Sequence, residues 1–249
     1  MSLLAVAFAG DGYRATLGDE WLQGRTAYGG ASAATALMAV KAAYPDLPPL
    51  RSVQIAFVGP LAGDVRISPT LLRRGKNSAF VGCDVVGSDG VGLRALFLFM
   101  ASRDSAISYA GLDVPPHDPP EANPVDPDTL PQGFLRNFDL ASGAKREAGF
   151  LRWTRLRERA GMDAETEFLT IADALPPAAM QLAKTWGPIS SATWQINLVT
   201  DAPRTRDGWW LLCADTLHAG HGNSSQSMTI WNRDGDAIAT ATQSVALFV

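Results

Sequence analysis

The chain has 249 residues, 47% of them hydrophobic, with 25 acidic against 21 basic side chains and a formal charge of −4. That length allows one large or two ordinary domains with real cores, and the mild acidity argues against a dedicated nucleic-acid binder. The two cysteines, Cys83 and Cys213, lie in apolar runs and read as small buried hydrophobes rather than a disulfide framework.

The N-terminal stretch LLAVAFAG is too short to span a bilayer and has no basic flank, so the chain reads as a soluble, cytoplasmic protein without a membrane partner. From Ala31 to Tyr44 only Ser32, Thr35 and Lys41 are polar, and two glycines, Gly29 and Gly30, open the segment. This predicts a slim helix that is apolar nearly all round, and such a helix must be surrounded. RSVQIAFVGPL then reads as a strand, followed by DVRISPTLL, NSAFVGCDVVG and VGLRALFLFMA. The alternation of Val65, Ile67 and Leu71 with Arg66, Ser68 and Thr70 fits a sheet with one face on a core. The short loops between these runs exclude parallel crossovers.

Seven of the 16 prolines sit between Gly111 and Gln132, which predicts a linker or an extended surface crossing. Beyond it the order of elements returns. ETEFLTIADAL (Glu165–Leu175) is a helix candidate stopped by Pro176-Pro177, and SATWQINLVTDAP, GWWLLCADTL, SSQSMTIWN and AIATATQSVALF are four strand-like runs. Gln195 placed on Gln54 aligns the first strand of each set. The hairpin signals Ser88-Asp89-Gly90 and Arg233-Asp234-Gly235 then fall 36 and 40 residues further on. An internal duplication follows: residues 1–110 and 134–249 are two repeats joined by a proline-rich linker, 111–133. Each repeat is an α+β unit in which a central apolar helix is wrapped by a curved antiparallel sheet.

That architecture is the hotdog fold. The Tyr28-Gly29-Gly30 opening, the Arg73–Ser78 run RRGKNS, the Ile171–Ala174 run IADA and the TATQS stretch at Gln243 together resemble type II acyl-CoA thioesterases, double-hotdog enzymes with two repeats in one chain. The resemblance spans the chain in the correct order. It implies an acyl-CoA substrate, no cofactor or metal, a homodimer or larger homo-oligomer, and a role in lipid metabolism. It also implies that Asp173, Thr193 and Gln243 are the catalytic residues, and that Tyr28, Gly29, Gly30, Asn77 and Ser78 bind substrate. One departure is local: Gly75-Lys76-Asn77-Ser78 carries an extra residue where the family has Gly-Asn-Ser.

The residues themselves point the same way for two of the three. Asp173 closes an apolar helix, where burial and the negative helix end both favour a raised pKa. Counting back 22 positions from Gln195 gives Asp173, but from Gln54 gives Ser32, so the fold does not require the acid. Gln243 is the polar residue among Ala237, Ala239, Ala241, Val245 and Leu247 on one strand face, and its counterpart eight residues after Gly90 is Leu98. Thr193 belongs to a polar stripe with Ser191, Gln195 and Asn197. His218 and His221 read as a hairpin bend rather than a metal site. No Gly-x-Ser-x-Gly elbow or dinucleotide fingerprint occurs. The expected reaction is hydrolysis by aspartate-activated water. The alternatives are a hotdog that binds acyl-CoA without hydrolysing it, and a hotdog dehydratase or hydratase, which would pair a histidine with the acid.

Overall fold

A computed structural model describes residues 4–185 and 187–248; Leu3 of the N-terminal apolar stretch, and Trp186 among the seven tryptophans, lie outside them. Among the described residues the fold is built on two α-helices and one long antiparallel sheet, with a small two-stranded ribbon (Leu22–Gln23 with Thr26–Ala27) beside them. The strands of the sheet are β1 (Ala7–Phe8), β2 (Tyr13–Leu17), β3 (Leu50–Phe57), β4 (Gly63–Arg74), β5 (Ser78–Gly87) and β6 (Gly90–Met100), then β7 (Phe138–Ser142), β8 (Gly149–Leu156), β9 (Ile189–Leu198), β10 (Trp210–Gly220), β11 (Asn223–Trp231) and β12 (Ala237–Leu247). Their order in space is β1-β2-β4-β5-β6-β3-β9-β12-β11-β10-β8-β7. Read from either end, it steps through the same sequence of connections, each strand of the second half standing six places after its counterpart.

The halves join where β3 pairs with β9, and at that seam Gln54 lies directly opposite Gln195. The two residues that aligned the halves in sequence are thus neighbours across the middle of the sheet.

The first helix, α1 (Gly29–Ala43), has every residue from Gly30 to Leu37 buried. Its alanines let strands and a second helix close around it: it packs against β2, β4, β5 and β6 and against α2 (Ala164–Ala172). The helices run antiparallel. At one end Lys41 Nζ donates to Asp163 and Glu165 at 2.6 and 2.9 Å, and Glu165 also accepts the Leu50 N–H at 2.7 Å. Asp163 caps α2 by accepting from the Glu165 and Thr166 N–H groups, so one cluster starts α2 and anchors the end of α1. At the other end Tyr28 donates its hydroxyl to the Thr170 carbonyl at 2.8 Å. Among the described residues no helix is long and apolar enough to cross a membrane.

The proline-rich segment takes the second of its two expected forms. It straps the outer face of the second half: the Leu112 and Asp118 carbonyls accept the indole N–H groups of Trp231 and Trp153, at 2.9 and 2.8 Å, and Val125 N–H donates to Leu140. Beneath it Leu151, Trp153, Trp209, Leu211, Cys213 and Trp231 form a second apolar cluster. The outer face near the seam and over the first half is open instead. It holds a groove of ≈ 730 Å³ lined by Gln54, Thr70, Leu72, Asp84, Arg94, Thr193 and Gln195, among others.

Because α1 has no free face from Gly30 to Leu37, added volume there has nowhere to go. Ala34→Leu should lower the unfolding free energy by about 1–3 kcal/mol, the usual cost of overpacking, in urea titrations. Wild-type stability in that variant would mean the helix is less tightly wrapped than its burial indicates.

Candidate active site

Helix α2 ends at Asp173, whose backbone (φ −101°, ψ 9°) has already left the helix; Pro176 and Pro177 prevent its resumption. The residue keeps part of its surface open, but its carboxylate lies deep among protein groups. Gln243 Nε2 donates to Asp173 Oδ1 at 2.5 Å, and the Gly30 N–H donates to the same carboxylate. Burial outweighs both donors and pushes the carboxyl from its ordinary 3.8 to about 7. Residues 70 apart in sequence are therefore in direct contact.

The glycines at the start of α1 make this approach possible. A Cβ on Gly29 would strike Asp173 Oδ2 and the Phe57 ring, and one on Gly30 would strike the Thr170 carbonyl and the Tyr28 ring. Tyr28 is fully buried and stacked on Phe134 at 4.4 Å between ring centroids. Burial and the neighbouring Asp173 charge hold its hydroxyl well above the ordinary phenol range, so it remains a neutral donor. The position of Asp173 combines two helix ends. The negative end of α2 was expected there; the positive end of α1 was expected to face substrate, and its Gly30 N–H instead donates to the carboxylate.

Gln243 lies on the inner face of β12, between Gln226 of β11 and Trp194 of β9. Gln226 Nε2 donates to Gln243 Oε1 at 2.8 Å, and the Ala178 N–H donates to Gln226 Oε1 at 2.7 Å. Ser191 Oγ stands 3.5 Å from Gln243 Oε1.

Thr193 is not in this cluster. It pairs with Ala56 and Ser244, faces outward and lines the outer groove. The cause is a β-bulge: Ser191 pairs with Val245 and Thr193 with Ser244, leaving Ala192 as the extra residue. The bulge breaks the polar stripe and turns Ser191 to the inner face while Thr193, Gln195 and Asn197 stay outside. β3 has the same irregularity at the corresponding place, between Leu50 and Ser52, and there Leu50 points inward. Sequence periodicity cannot see a bulge, so it placed Ser191 and Thr193 on one face.

The matching correction applies to Gln243. Trp194 pairs with Gln243, and Val53, its counterpart across the seam, pairs with Phe97. The first-half equivalent is therefore the buried Phe97 rather than Leu98, which faces outward; counting from the hairpin glycines slipped by one residue. Gln226 was legible but missed, since it interrupts the inward set Ser224, Met228 and Ile230 as Gln243 interrupts its own.

Asn77 and Ser78 are not brought to Asp173. They lie in the turn from β4 to β5, where Ala101 N–H donates to the Asn77 carbonyl. That turn stands at the opposite end of α1: Tyr44 Oη accepts the Leu71 N–H and Arg74 pairs with Asp46. At 1.5 Å per residue, α1 separates the two places by roughly 20 Å. His218 and His221 lie at the β10–β11 hairpin, and His117 packs on Trp153 under the strap.

An apolar helix wrapped by a curved antiparallel sheet places the chain in a definite structural class. Solved hotdog proteins share it: a hotdog-fold protein of unknown function from Alicyclobacillus acidocaldarius superposes with a TM-score of 0.88 at 21% identity, covering 98% of this chain and 96% of that one. An acyl-CoA thioesterase II from Mycobacterium marinum gives 0.75 at 16% identity, covering 98% and 94%. A candidate thioesterase II from Thermobifida fusca gives 0.84 at 19%, covering 98% and 96%. At these identities the likeness is one of fold. Residues 17–100 match the N-terminal domain, and residues 113–247 the C-terminal domain, of acyl-CoA thioesterases. The chain belongs to the acyl-CoA thioesterase family. No curated protein matches it at a significant level.

The raised Asp173 pKa makes stability depend on pH. The folded value, about 7, lies above the ordinary 3.8, so the contribution is intact below pH 4 and is lost as pH rises through 7. At full extent that loss is on the order of 4 kcal/mol. Asp173→Asn should therefore gain stability relative to wild type between pH 4 and pH 8 in urea titrations. A difference that does not change with pH would contradict a buried, late-titrating carboxyl.

Proposed function

We propose that this protein is an acyl-CoA thioesterase that hydrolyses its substrate with water activated by Asp173. The observation that carries this reading is the Asp173 carboxylate, buried between the N-terminus of α1 and the amide of Gln243, in a chain of this family. A base that titrates near neutrality is both ionised and able to take a proton at working pH.

Asp173 takes a proton from the water as its oxygen attacks the thioester carbonyl carbon. Gln243 and Ser191 hold that water, Ser191 standing where Thr193 was expected. The carbonyl oxygen gains the negative charge, and the first N–H groups of α1 face it. The Gly30 N–H serves the carboxylate, which leaves Gly29 N–H as the oxyanion donor. Collapse of the tetrahedral intermediate breaks the C–S bond, and protonated Asp173 returns its proton to the CoA thiolate. The products are a free acid and CoA.

In this reading the chain is a double hotdog, with repeats 1–110 and 134–249 and 111–133 between them; the mirrored strand order and the paired bulges support that division. Tyr28, Gly29 and Gly30 form the substrate-facing turn, and the acyl chain lies between helix and sheet or between the halves. Asn77 and Ser78 lie too far away for that role within one chain. The protein works in the cytoplasm, with both cysteines unpaired, in lipid metabolism. It self-associates through its outer sheet face, where Leu72 is exposed beside the open groove. The dehydratase reading loses its histidine, since none of the three approaches Asp173.

Thiol release from short-, medium- and long-chain acyl-CoAs tests the proposal. Wild type should turn over, with kcat/KM rising as pH passes about 7. Asp173→Asn should lose at least ~100-fold in kcat, the usual scale of base removal, while remaining folded. Undiminished kcat in the variant would sink the mechanism; acyl-CoA bound by both proteins with no thiol released would make this a carrier.

A further inference from the structure

We infer that Gln226 is a positioning residue of this site: it fixes the amide of Gln243 so that its N–H group, and not its carbonyl, meets Asp173. The inference rests on the hydrolytic reading above and adds a residue to it.

The argument starts from a group whose polarity is not in question. Ala178 N–H can only donate, so the Gln226 atom 2.7 Å from it is the oxygen. That leaves the Gln226 NH2 group facing Gln243, at 2.8 Å, and a donor there requires the Gln243 oxygen. The Gln243 NH2 group is then turned to Asp173, at 2.5 Å. Each amide has two orientations in isolation, and the chain of contacts selects one for both. Turning either amide sets two donors face to face inside the protein, where Gln226 and Gln243 are 1% and 4% exposed.

Ser191 cannot replace Gln226 in this task. Its hydroxyl donates or accepts according to its rotation, so it accommodates Gln243 in either orientation. Gln226 selects because it is tied to backbone. The tie also comes from the right place: Ala178 opens the 3-10 turn that follows Pro176-Pro177, five residues after Asp173. The segment from Asp173 to Ala178 and the two glutamines thus close a ring, and a shift of Asp173 along its segment would be felt at Gln226. Few other groups bear on the carboxylate. Tyr28, neutral and engaged by Thr170, is the titratable group facing it, while α1 offers Gly29 and Gly30 and β3 offers Phe57, all uncharged.

The test compares wild type, Gln226→Leu, Gln226→Glu and Asp173→Asn. The Asp173 carboxyl is followed by carbon NMR on aspartate-labelled protein, its signal assigned by its loss in Asp173→Asn, alongside thiol release from acyl-CoA across pH. With Gln226→Leu the Gln243 amide is free to turn, and the Asp173 midpoint should rise by at least about half a pH unit. The acid limb of kcat/KM should move with it, and kcat at pH 7 should fall at least ~10-fold with KM changed less than ~3-fold. Gln226→Glu keeps the shape, and in its ionised form it accepts from both Ala178 and Gln243. It thereby turns the Gln243 carbonyl onto Asp173 and should raise the midpoint further, which also covers the case that the leucine variant does not fold. A merely structural Gln226 would leave the midpoint and the acid limb at their wild-type positions in folded variants, and that result overturns the inference. If wild type releases no thiol, the hydrolytic reading fails while the NMR titration still decides whether Gln226 controls the carboxyl.

Discussion

The site depends on how closely the first turn of α1 approaches the last turn of α2. Gly30 lies against the Thr170 carbonyl with no room for a side chain, and Tyr28 bridges to that same carbonyl through its hydroxyl. At the far end Lys41 is held by Asp163 and Glu165, so the antiparallel pair is fastened at both ends. The alanines between them are what let two helices share one sheet's concave face. Replace the small residues and α1 moves outward; its N–H groups then no longer point at Asp173. The slimness of the helix, which looks like a packing detail, sets the electrostatics of the site.

Those electrostatics are a contest with a narrow outcome. Desolvation alone would hold Asp173 protonated and useless as a base, while full hydrogen bonding would leave it a stable, weakly basic anion. Burial prevails over the Gln243 and Gly30 donors, which leaves the carboxyl near 7. Burial, and after it the same anion, keeps Tyr28 neutral, so the hydroxyl that ties the helices together stays a donor as Asp173 titrates.

Much of this was legible in the sequence because it obeys periodicities. The apolar helix, the antiparallel strands and the recurring order of elements all follow from spacing, and Gln54 and Gln195, aligned only as counterparts, turn out to pair with each other at the seam. Asp173 and Gln243 stood out as polar residues where the fold asks for none, and they are in contact. What was not legible breaks the period. A single extra residue, Ala192, sends Ser191 inward and Thr193 outward, and the irregular hairpins made a count from glycine to glycine choose Leu98 instead of Phe97. The strap was read as a linker or a surface crossing because its prolines exclude helix and central strand; which surface it crosses is decided by Trp153 and Trp231, more than 30 residues away. Asn77 and Ser78 were grouped with Gly29 by a motif, and α1 keeps them apart.

The paired halves also explain why, among the described residues, this polar cluster stands in the second half and not in the first. Strand register places Ser191, Gln243 and Gln226 opposite the seam from Leu50, Phe97 and Val81, all three of which are buried. The first half fills with large apolar side chains the space in which the second half carries its polar ones. Each such exchange forgoes about 1.5–3 kcal/mol of apolar burial and leaves polar atoms that must be satisfied inside the protein. Gln243 and Gln226 satisfy one another, Ala178 N–H and Asp173, whereas the buried Ser224 hydroxyl beside them has no partner among the described residues. The apolar first half, in turn, wraps the long helix whose N-terminus faces the acid of the second. One half supplies a rigid helix end and the other a polar pocket, so the proposed chemistry draws on both, and a chain built of two identical halves of either kind would lack one of them.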